Sequence, residues 1–250
     1  MKTYIINMAK DVAKREQILA QLKDFPKDDV EIFEACEGRK LTEPELQYLG
    51  YLKFKQKYGT FGTLPAFGCS ISHYSLYKKI AGGNDAALIL EDDAILSENL
   101  YAKLQALHKY INTLHTAAII LLTPEFLYNK KDLFTISNNP SIQVAKVKSG
   151  CMTTGYIINA EAAKLFSAEL FPIRYLADEW REFIKMGLSL YGVVPHMVSY
   201  SGELGEIGMS QIGQKKTILN KIHFFLGGIK AKTEYMLQSL KGYRISKRLW

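Results

Sequence analysis

The sequence contains few cysteines. Only Cys36, Cys69 and Cys151 occur among 250 residues, an odd number at wide spacing. Disulfide-stabilised secreted domains use several paired cysteines, and zinc or redox motifs use close pairs such as Cys-x-x-Cys. Neither pattern is present. We therefore interpret the three cysteines as reduced and structural.

Long hydrophobic runs are also lacking. No stretch approaches the roughly 20 apolar residues that a membrane-spanning helix needs. The first residues, MKTYIINMAKDVAKRE, offer only a short apolar stretch before charges return, which suits neither the length nor the flanks of a secretory signal. No Pro/Ser/Gly-rich linker divides the chain, so we expect one main domain over residues 1–214 of a cytoplasmic protein.

Acidic residues are scarce at one end of the chain. Residues 215–250 contain nine Lys/Arg and one acid, Glu234, a net charge of +8, whereas the whole chain carries +7. Residues 1–214 are therefore close to neutral, at about −1. A basic protein ordinarily raises the question of nucleic acid, but here only the tail is basic. We predict no nucleic-acid partner and treat residues 215–250 as a separate basic tail.

Alternating apolar patterns predict an α/β fold. A strand at 3–8, a helix at 10–24 and a strand at 29–35 form a strand–helix–strand unit, the usual start of a parallel sheet. Further strands are predicted at 87–90, 117–122, 154–159 and 190–200, and further helices at 69–81, 98–114, 160–170 and 178–187.

Local signals place some of the helix ends. Thr42 is predicted as an N-cap, with Glu45 completing a capping box, and Ser97 as the N-cap of the helix after it. The Gly-rich segment 59–68 is predicted to be a loop. Residues 123–150 are polar and irregular, and too long for a simple connection, so we predict a lid or an acceptor-side insertion there.

Three consecutive acids follow a buried strand. ALIL, residues 87–90, runs directly into Glu91, Asp92 and Asp93. Ligands of parallel α/β sheets bind outside the carboxyl ends of the strands, and alternate residues of an extended strand share a face. We therefore expect Glu91 and Asp93 to offer oxygen ligands to Mg²⁺ or Mn²⁺, with Asp92 on the other face. The alternative is an acidic turn before the next helix.

Several segments together resemble a known family. In chain order they are YIINMAKDVAKRE, FEACEGR, GCSISHYSLYKKI, ALILEDDAIL, TTGYIIN and YLADEW. Their order and spacing are similar to those of glycosyltransferase family 25, which includes lipooligosaccharide galactosyltransferases of Gram-negative bacteria. The resemblance covers about residues 1–210, with Met8 where the family usually has Leu. It implies a GT-A-like (Rossmann-like) single domain with a mostly parallel central sheet, a nucleotide-sugar donor, a divalent metal and inversion at the anomeric carbon.

The resemblance also implies which residues bind the donor. Asn7 and Arg15 correspond to the family's I-N-L...R opening, which suggests contacts with the uridine or the diphosphate. Gly38 matches a glycine where the backbone approaches the nucleotide, and Asp92 is assigned to the donor as well. Arg15 is alternatively a solvated helix charge, and Gly38 an ordinary turn glycine.

Ser72 and His73 lie in the family's G-C-x-x-S-H segment and are assigned to the donor. His73 falls at helical spacing with Cys69, Leu76 and Ile80. A packed, hydrogen-bonded core histidine is therefore the alternative.

An inverting transfer needs a general base for the acceptor hydroxyl. The acids that bind the metal cannot easily also accept the proton of the acceptor hydroxyl, so a separate carboxylate is required. Asp178 in YLADEW is the first candidate, because it corresponds to the family's Asp-Trp-like segment, and Glu179 is the second. Asp178 is alternatively only the cap of the helix that begins at Glu179. His196 is a candidate third metal ligand, or a structural histidine.

These observations predict a metal-dependent inverting glycosyltransferase. The expected reaction moves galactose from UDP-galactose to a sugar hydroxyl of a lipooligosaccharide or lipopolysaccharide core. UDP-glucose is the alternative donor, and a non-catalytic, membrane-associated sugar-nucleotide-binding protein is the alternative class. The oligomeric state is left open.

The tail has a distinct pattern. Within TILNKIHFFLGGIKAKTEYMLQSL, apolar residues recur at helical spacing among lysines. A basic amphipathic helix of this kind suits an anionic membrane surface, which would place the protein on the inner face of the cytoplasmic membrane. Packing of the apolar residues on the body of the protein is the alternative.

Overall fold

The computed structural model describes residues 1–138, 141–201 and 241–246. Its helices are α1 (Val12–Gln21), α2 (Glu43–Leu49), α3 (Tyr51–Tyr58), α4 (Leu64–Ala81), α5 (Leu100–Asn112), α6 (Ala160–Glu169) and α7 (Trp180–Lys185). Its strands are β1 (Thr3–Asn7), β2 (Val30–Glu34), β3 (Ala87–Glu91), β4 (Ala94–Leu96), β5 (Ala118–Leu121), β6 (Phe126–Asn138), β7 (Ser141–Gly150), β8 (Gly155–Ile158), β9 (Ser189–Val194), β10 (Val198–Tyr200) and β11 (Tyr243–Ile245).

Nine of the described strands form one sheet, in the order β11-β6-β7-β9-β5-β8-β3-β1-β2. β1 pairs in parallel with both β2 and β3, and β5 pairs in parallel with β9. β8 runs antiparallel between β3 and β5, and β7 runs antiparallel between β9 and β6. Most of these strands therefore share one direction, which confirms the predicted α/β fold with a mostly parallel central sheet.

Helices cover both faces of this sheet. Ile6 and Ile89 face a core that contains α4, α6 and α7 side chains, whereas Ile5 and Leu90 face a second core with α1 and α5 side chains. Successive residues of a strand point to opposite faces, so strands buried on both sides read as continuous apolar runs. This explains why TYII and ALIL carry almost no polar residues before their carboxyl ends.

The prediction that residues 123–150 are irregular is wrong. Phe126–Asn138 and Ser141–Gly150 form β6 and β7, a long antiparallel hairpin that joins the sheet beside β9. The pairing of β6 with β7 shifts register at three places. Each shift interrupts the alternation of polar and apolar residues by which a strand is recognised in a sequence.

Some of the helix boundaries agree with the sequence predictions and others differ. The capping box of Thr42 and Glu45 is present at the start of α2. The Ser97 prediction is wrong, because Asn99 in the left-handed region (φ 55°) is the N-cap of α5. α4 begins at Leu64, earlier than predicted, because the Thr63 hydroxyl oxygen accepts a hydrogen bond from the Ala66 N–H at 3.3 Å.

Little of the predicted tail can be compared with the structure. The residues of the predicted amphipathic helix, 217–240, lie outside the described residues. Residues 243–245 form β11, which pairs antiparallel with β6 at the edge of the sheet. Among the described residues, no helix combines the length and the apolar character needed to cross a bilayer.

Candidate functional site

A cavity of about 550 Å³ opens at the carboxyl ends of β1, β2 and β3. Parallel strands end at one edge of a sheet, so the residues that follow them converge there. Residues that line it include Met8, Asp11, Lys14, Cys36, Gly38, Phe61, Cys69, Ser72, Glu91, Asp92, Asp93, Met152, Thr153, Thr154 and Asp178. The cavity therefore gathers carboxylates from several distant parts of the chain.

Glu91 is the last residue of β3 and is surrounded by donors. Its Oε1 lies 3.1 Å from His73 Nε2 and accepts a hydrogen bond from the Thr153 hydroxyl at 2.5 Å. The Thr154 hydroxyl donates to Oε2 at 3.4 Å. Burial opposes ionisation, but these bonds outweigh it and hold the pKa of Glu91 below its ordinary value. Glu91 is a preorganised carboxylate.

Asp92 is held by the first strand and the first helix. Its Oδ2 accepts a hydrogen bond from Asn7 Nδ2 at 2.7 Å, and its Oδ1 lies 3.9 Å from Lys14 Nζ. Asn7 is almost fully buried and its amide also donates to the Asp11 carbonyl oxygen at 3.1 Å. Burial raises the pKa of Asp92 despite the Asn7 and Lys14 contacts.

Asp93 is the least satisfied of the three acids. Its Oδ1 is buried and has no hydrogen-bond partner among the described residues. Burial, followed by repulsion from Glu91 and Asp92, raises the pKa of Asp93 from 3.8 to about 6. A buried carboxylate in this state is costly unless a cation or a proton neutralises it.

The predicted alternation of the acids is wrong for Asp92. β3 ends at Glu91 and the chain turns at Asp92 and Asp93, so the two-residue period of a strand no longer applies. All three acids consequently line the cavity, and none of them lies on an opposite face of the sheet.

His73 links Glu91 to a buried row of tyrosines. Its Nδ1 lies 2.7 Å from the Tyr156 hydroxyl, which lies 2.9 Å from the Tyr77 hydroxyl. Cys69 is one helical turn before His73 on α4. One ligand atom from each of Cys69, His73 and Glu91 lies within 4.8 Å of the other two. These three residues form the only group of metal-ligating side chains of that compactness in the described part of the chain.

Asp178 reaches the same cavity from the segment before α7. Its Oδ2 accepts a hydrogen bond from the Met152 N–H at 3.2 Å, and burial raises the pKa of its carboxyl. Glu179 is directed elsewhere: its Oε2 accepts from the Tyr58 hydroxyl at 2.8 Å, and the residue does not line the cavity. Of the two candidates for the base, Asp178 therefore lines the cavity and Glu179 does not.

Comparison with known proteins decides the family. The sequence profile described as glycosyltransferase family 25 (LPS biosynthesis protein) matches residues 1–180. The chain belongs to glycosyltransferase family 25.

The curated relatives of this family 25 chain are longer proteins. A protein of Acanthamoeba polyphaga mimivirus named as a glycosyltransferase is 26% identical over 203 residues, which cover 79% of this chain and 62% of the relative. The mimivirus procollagen lysyl hydroxylase and glycosyltransferase is 26% identical over 76% of this chain and 22% of its own length. A glycosyltransferase 25 family member from Aedes aegypti is 31% identical over 36% of this chain and 16% of its own.

Among solved structures, a protein of Bacillus anthracis described as a glucose-1-phosphate thymidylyltransferase aligns with 84% of this chain and 94% of its own. The TM-score is 0.43 and the sequence identity 14%. A likeness of this size does not bear on the function of the family 25 chain.

Two of the residues assigned to the donor have packing contacts in this family 25 structure. A Cβ atom on Gly38 would lie 1.9 Å from the carbonyl oxygen of Leu64, so this glycine permits close contact with the start of α4. The Ser72 hydroxyl donates to the Gly68 carbonyl oxygen and accepts from the Cys36 N–H, each at 2.8 Å. Both residues also line the cavity, whose wall they hold together.

Arg15 and His196 do not line the cavity. Lys14, one residue earlier on α1, does line it. His196 is buried, with 3% of its surface exposed, and follows β9. The structure thus brings Glu91, Asp92, Asp93 and Asp178 together around one cavity, with Asn7 hydrogen-bonded to Asp92, and leaves Arg15 and His196 outside the lining.

Sequence reasoning missed Cys69, Thr153 and Thr154. Cys69 has no nearby cysteine, so the sequence around it contains no metal-binding motif. The threonines precede β8, which runs antiparallel to β3, so the start of one strand lies beside the end of the other, and the Glu91 N–H donates to the Thr154 carbonyl oxygen at 3.0 Å. The quoted TTGYIIN segment contained this signal, but only the pairing of β8 with β3 reveals it.

Proposed function

We propose that this chain is a metal-dependent, inverting glycosyltransferase that moves galactose from UDP-galactose to a sugar hydroxyl of a lipooligosaccharide core. The observation that carries the proposal is the joint position of Glu91, Asp92, Asp93 and Asp178 around one cavity at the carboxyl ends of parallel strands. Family membership supports glycosyl transfer from a sugar nucleotide.

The residues present fit a hard divalent cation. Three adjacent carboxylates repel one another, and the buried Oδ1 of Asp93 has no hydrogen-bond partner among the described residues. Mg²⁺ and Mn²⁺ favour oxygen ligands and commonly share them with substrate phosphates. Asp93 and Glu91 would hold the cation. When bound, it would neutralise charge that develops on the departing diphosphate.

The side chains of α1 and β1 are suited to orienting the donor. Asn7 holds Asp92 by a hydrogen bond of 2.7 Å, and Lys14 brings a positive charge to the same part of the cavity. A lysine at this position attracts phosphate as a point charge. These two residues would orient the nucleotide, while the half-exposed Phe61 offers an apolar surface in the cavity lining.

Asp178 is the proposed general base. It lines the cavity beside the acid cluster, and burial raises the pKa of its carboxyl, which makes the carboxylate a stronger proton acceptor than an exposed one. In the proposed reaction, Asp178 takes the proton of the acceptor hydroxyl as that oxygen attacks the anomeric carbon, and the bond between that carbon and the diphosphate oxygen breaks to release UDP. The hydrogen bond from the Met152 N–H fixes the orientation of the carboxylate.

The choice of galactose and of the acceptor depends on the family resemblance. Galactose and glucose differ in the orientation of one hydroxyl group. UDP-glucose therefore remains the alternative donor for the same chemistry.

The test measures UDP release from a panel of UDP-sugars, with and without Mn²⁺, and with deacylated lipooligosaccharide as acceptor. We expect acceptor-dependent release from UDP-galactose that requires the cation and disappears in Asp93→Ala. The matched control is Asp132→Ala, an exposed acid of β6. Equal release with and without Mn²⁺, or an active Asp93→Ala protein, would contradict the metal-dependent mechanism.

Membrane association is a second part of the proposal. It is supported by the +8 charge of residues 215–250, because each Lys or Arg near an anionic surface contributes about 1 kcal/mol. We expect the protein to bind anionic vesicles at low salt and to dissociate as salt rises. Replacing Lys221, Lys230 and Lys232 by glutamine should weaken this binding while transfer to a soluble acceptor persists. A wild-type protein that ignores anionic vesicles at low salt would contradict the proposal.

A further inference from the structure

Cys69, His73 and Glu91 form a compact group with three different ligand atoms. Cys69 and His73 are four residues apart on α4, so they lie on one face of the helix. Glu91 approaches that face from the end of β3, with its Oε1 3.1 Å from His73 Nε2. Sulfur, nitrogen and oxygen ligand atoms from the three residues all lie within 4.8 Å of one another.

This ligand set differs in chemistry from the acid cluster beside it. Zn²⁺ accepts Cys sulfur, His nitrogen and carboxylate oxygen, whereas Mg²⁺ favours oxygen alone. Tetrahedral zinc with bonds of about 2.0–2.3 Å keeps its ligand atoms about 3.3–3.8 Å apart. The three ligand atoms therefore need to move only slightly closer together to bind Zn²⁺. Cys69 and Glu91 line the cavity, so solvent can supply a fourth ligand.

The surroundings of the group resemble those of a metal site. His73 Nδ1 lies 2.7 Å from the Tyr156 hydroxyl, and that contact fixes the imidazole with Nε2 toward Glu91. Metal-binding histidines usually hydrogen-bond through the second ring nitrogen in this way. Thr153 and Thr154 hold both oxygens of Glu91, so this ligand is oriented as well.

We propose that Cys69, His73 and Glu91 bind Zn²⁺, and that this ion inhibits glycosyl transfer because it takes Glu91 from the cation that the donor requires. The binding stands on the three side chains alone, whereas the inhibition rests on the proposed function. On binding, the Cys69 thiol releases its proton to solvent, because the thiolate is the ligand. Two divalent cations so close together would also repel each other.

Binding is tested on the metal-free full-length protein with Zn²⁺ by calorimetry and with Co²⁺ by absorption spectroscopy. We expect one ion per chain and a sulfur-to-cobalt charge-transfer band. Cys69→Ser should lose the band and at least about 100-fold in Zn²⁺ affinity, since a ligand contributes no less than the groups that orient it. The matched control is Cys36→Ser, which also replaces a cysteine of the cavity lining.

A second variant protects the test from a folding defect in Cys69→Ser. A protein with both Cys36→Ser and Cys151→Ser retains only Cys69, and it should keep the cobalt band. Absence of the band from this variant or from the wild type, or a Cys69→Ser protein that binds Zn²⁺ as tightly as the wild type, would overturn the site.

Inhibition is measured separately. Zn²⁺ should inhibit UDP release by the wild type, excess Mn²⁺ should restore it, and Cys69→Ser should need at least about 10-fold more Zn²⁺ for the same inhibition. Equal sensitivity of the two proteins would overturn the inhibitory role. If the wild type binds Zn²⁺ through Cys69 yet transfers no sugar, the proposed function fails and the zinc site stands.

Discussion

Asp93→Asn should make the metal-free protein more stable at neutral pH, although it removes a residue of the proposed active site. The substitution keeps the size of the side chain and removes its charge. Asp93 carries a buried oxygen without a hydrogen-bond partner in the described structure, and it lies beside Glu91 and Asp92. Its carboxylate therefore destabilises the folded state whenever no cation is bound.

The magnitude follows from the pKa of Asp93, which rises from 3.8 to about 6 on folding. A change of this size corresponds to about 3 kcal/mol at a pH above both values. The three acids share their repulsion and can relax, so about 1–3 kcal/mol is expected. The folded protein binds this proton more tightly than the unfolded chain, so wild-type stability falls as pH rises from about 4 to about 6. The difference in unfolding free energy between Asp93→Asn and the wild type grows over that pH interval and is complete above it.

The assay is thermal and urea unfolding in EDTA at about pH 7.5 and about pH 4. With a pKa of about 6, the Asp93 carboxyl of the folded protein is ionised at the higher pH and protonated at the lower. At the higher pH the melting temperature of the variant should exceed that of the wild type, by about 2–4 °C per kcal/mol of added stability for a chain of this size. At the lower pH the difference should vanish. Asp132→Asn, an exposed acid, is the control and should change little. A variant that is less stable than the wild type, or a difference that does not depend on pH, would refute the reasoning.

Two further predictions concern the base and the wall of the cavity. Asp178→Asn should retain donor binding but lower turnover by on the order of 10²-fold or more, as measured by steady-state kinetics and donor titration. Glu179→Gln should mainly affect stability, so a turnover loss confined to that variant would move the base to Glu179. Gly38→Ala should lower the unfolding free energy by about 3 kcal/mol, because its Cβ would lie 1.9 Å from a backbone oxygen of α4. Gly83→Ala, whose Cβ would meet only an oxygen at 3.5 Å, is the control, and equal unfolding midpoints would contradict the packing argument.

The sequence by itself determined the elements whose signals are local. The strand–helix–strand opening is visible because a strand buried on both faces requires an uninterrupted apolar run. The capping box at Thr42 and Glu45 is visible because both partners of the interaction lie within one turn. Acids directly after a buried strand predicted a polar site at the carboxyl edge of the sheet, and the cavity lies at that edge.

The hairpin of β6 and β7 was not visible in the sequence. Its exposed residues and register shifts interrupt the alternation of polar and apolar residues that predicts a strand. Its stability comes from the pairing of β7 with β9, which is distant in sequence. Strand propensity is decided largely by such neighbours. The turn after Glu91 is a similar case, since it places Asp92 in the cavity although strand periodicity predicted the opposite face.

Only the tertiary structure decided which side chains share the site. Thr153 reaches Glu91 because β8 runs antiparallel to β3, and Asp178 reaches the cavity because α7 packs on the same face as α4. The spacing of Cys69 and His73 predicts that they share a helical face, but their proximity to Glu91 results from the packing of α4 against the end of β3. Contacts between residues that are distant in the chain depend on how layers pack, and one sequence records only the local part of that information.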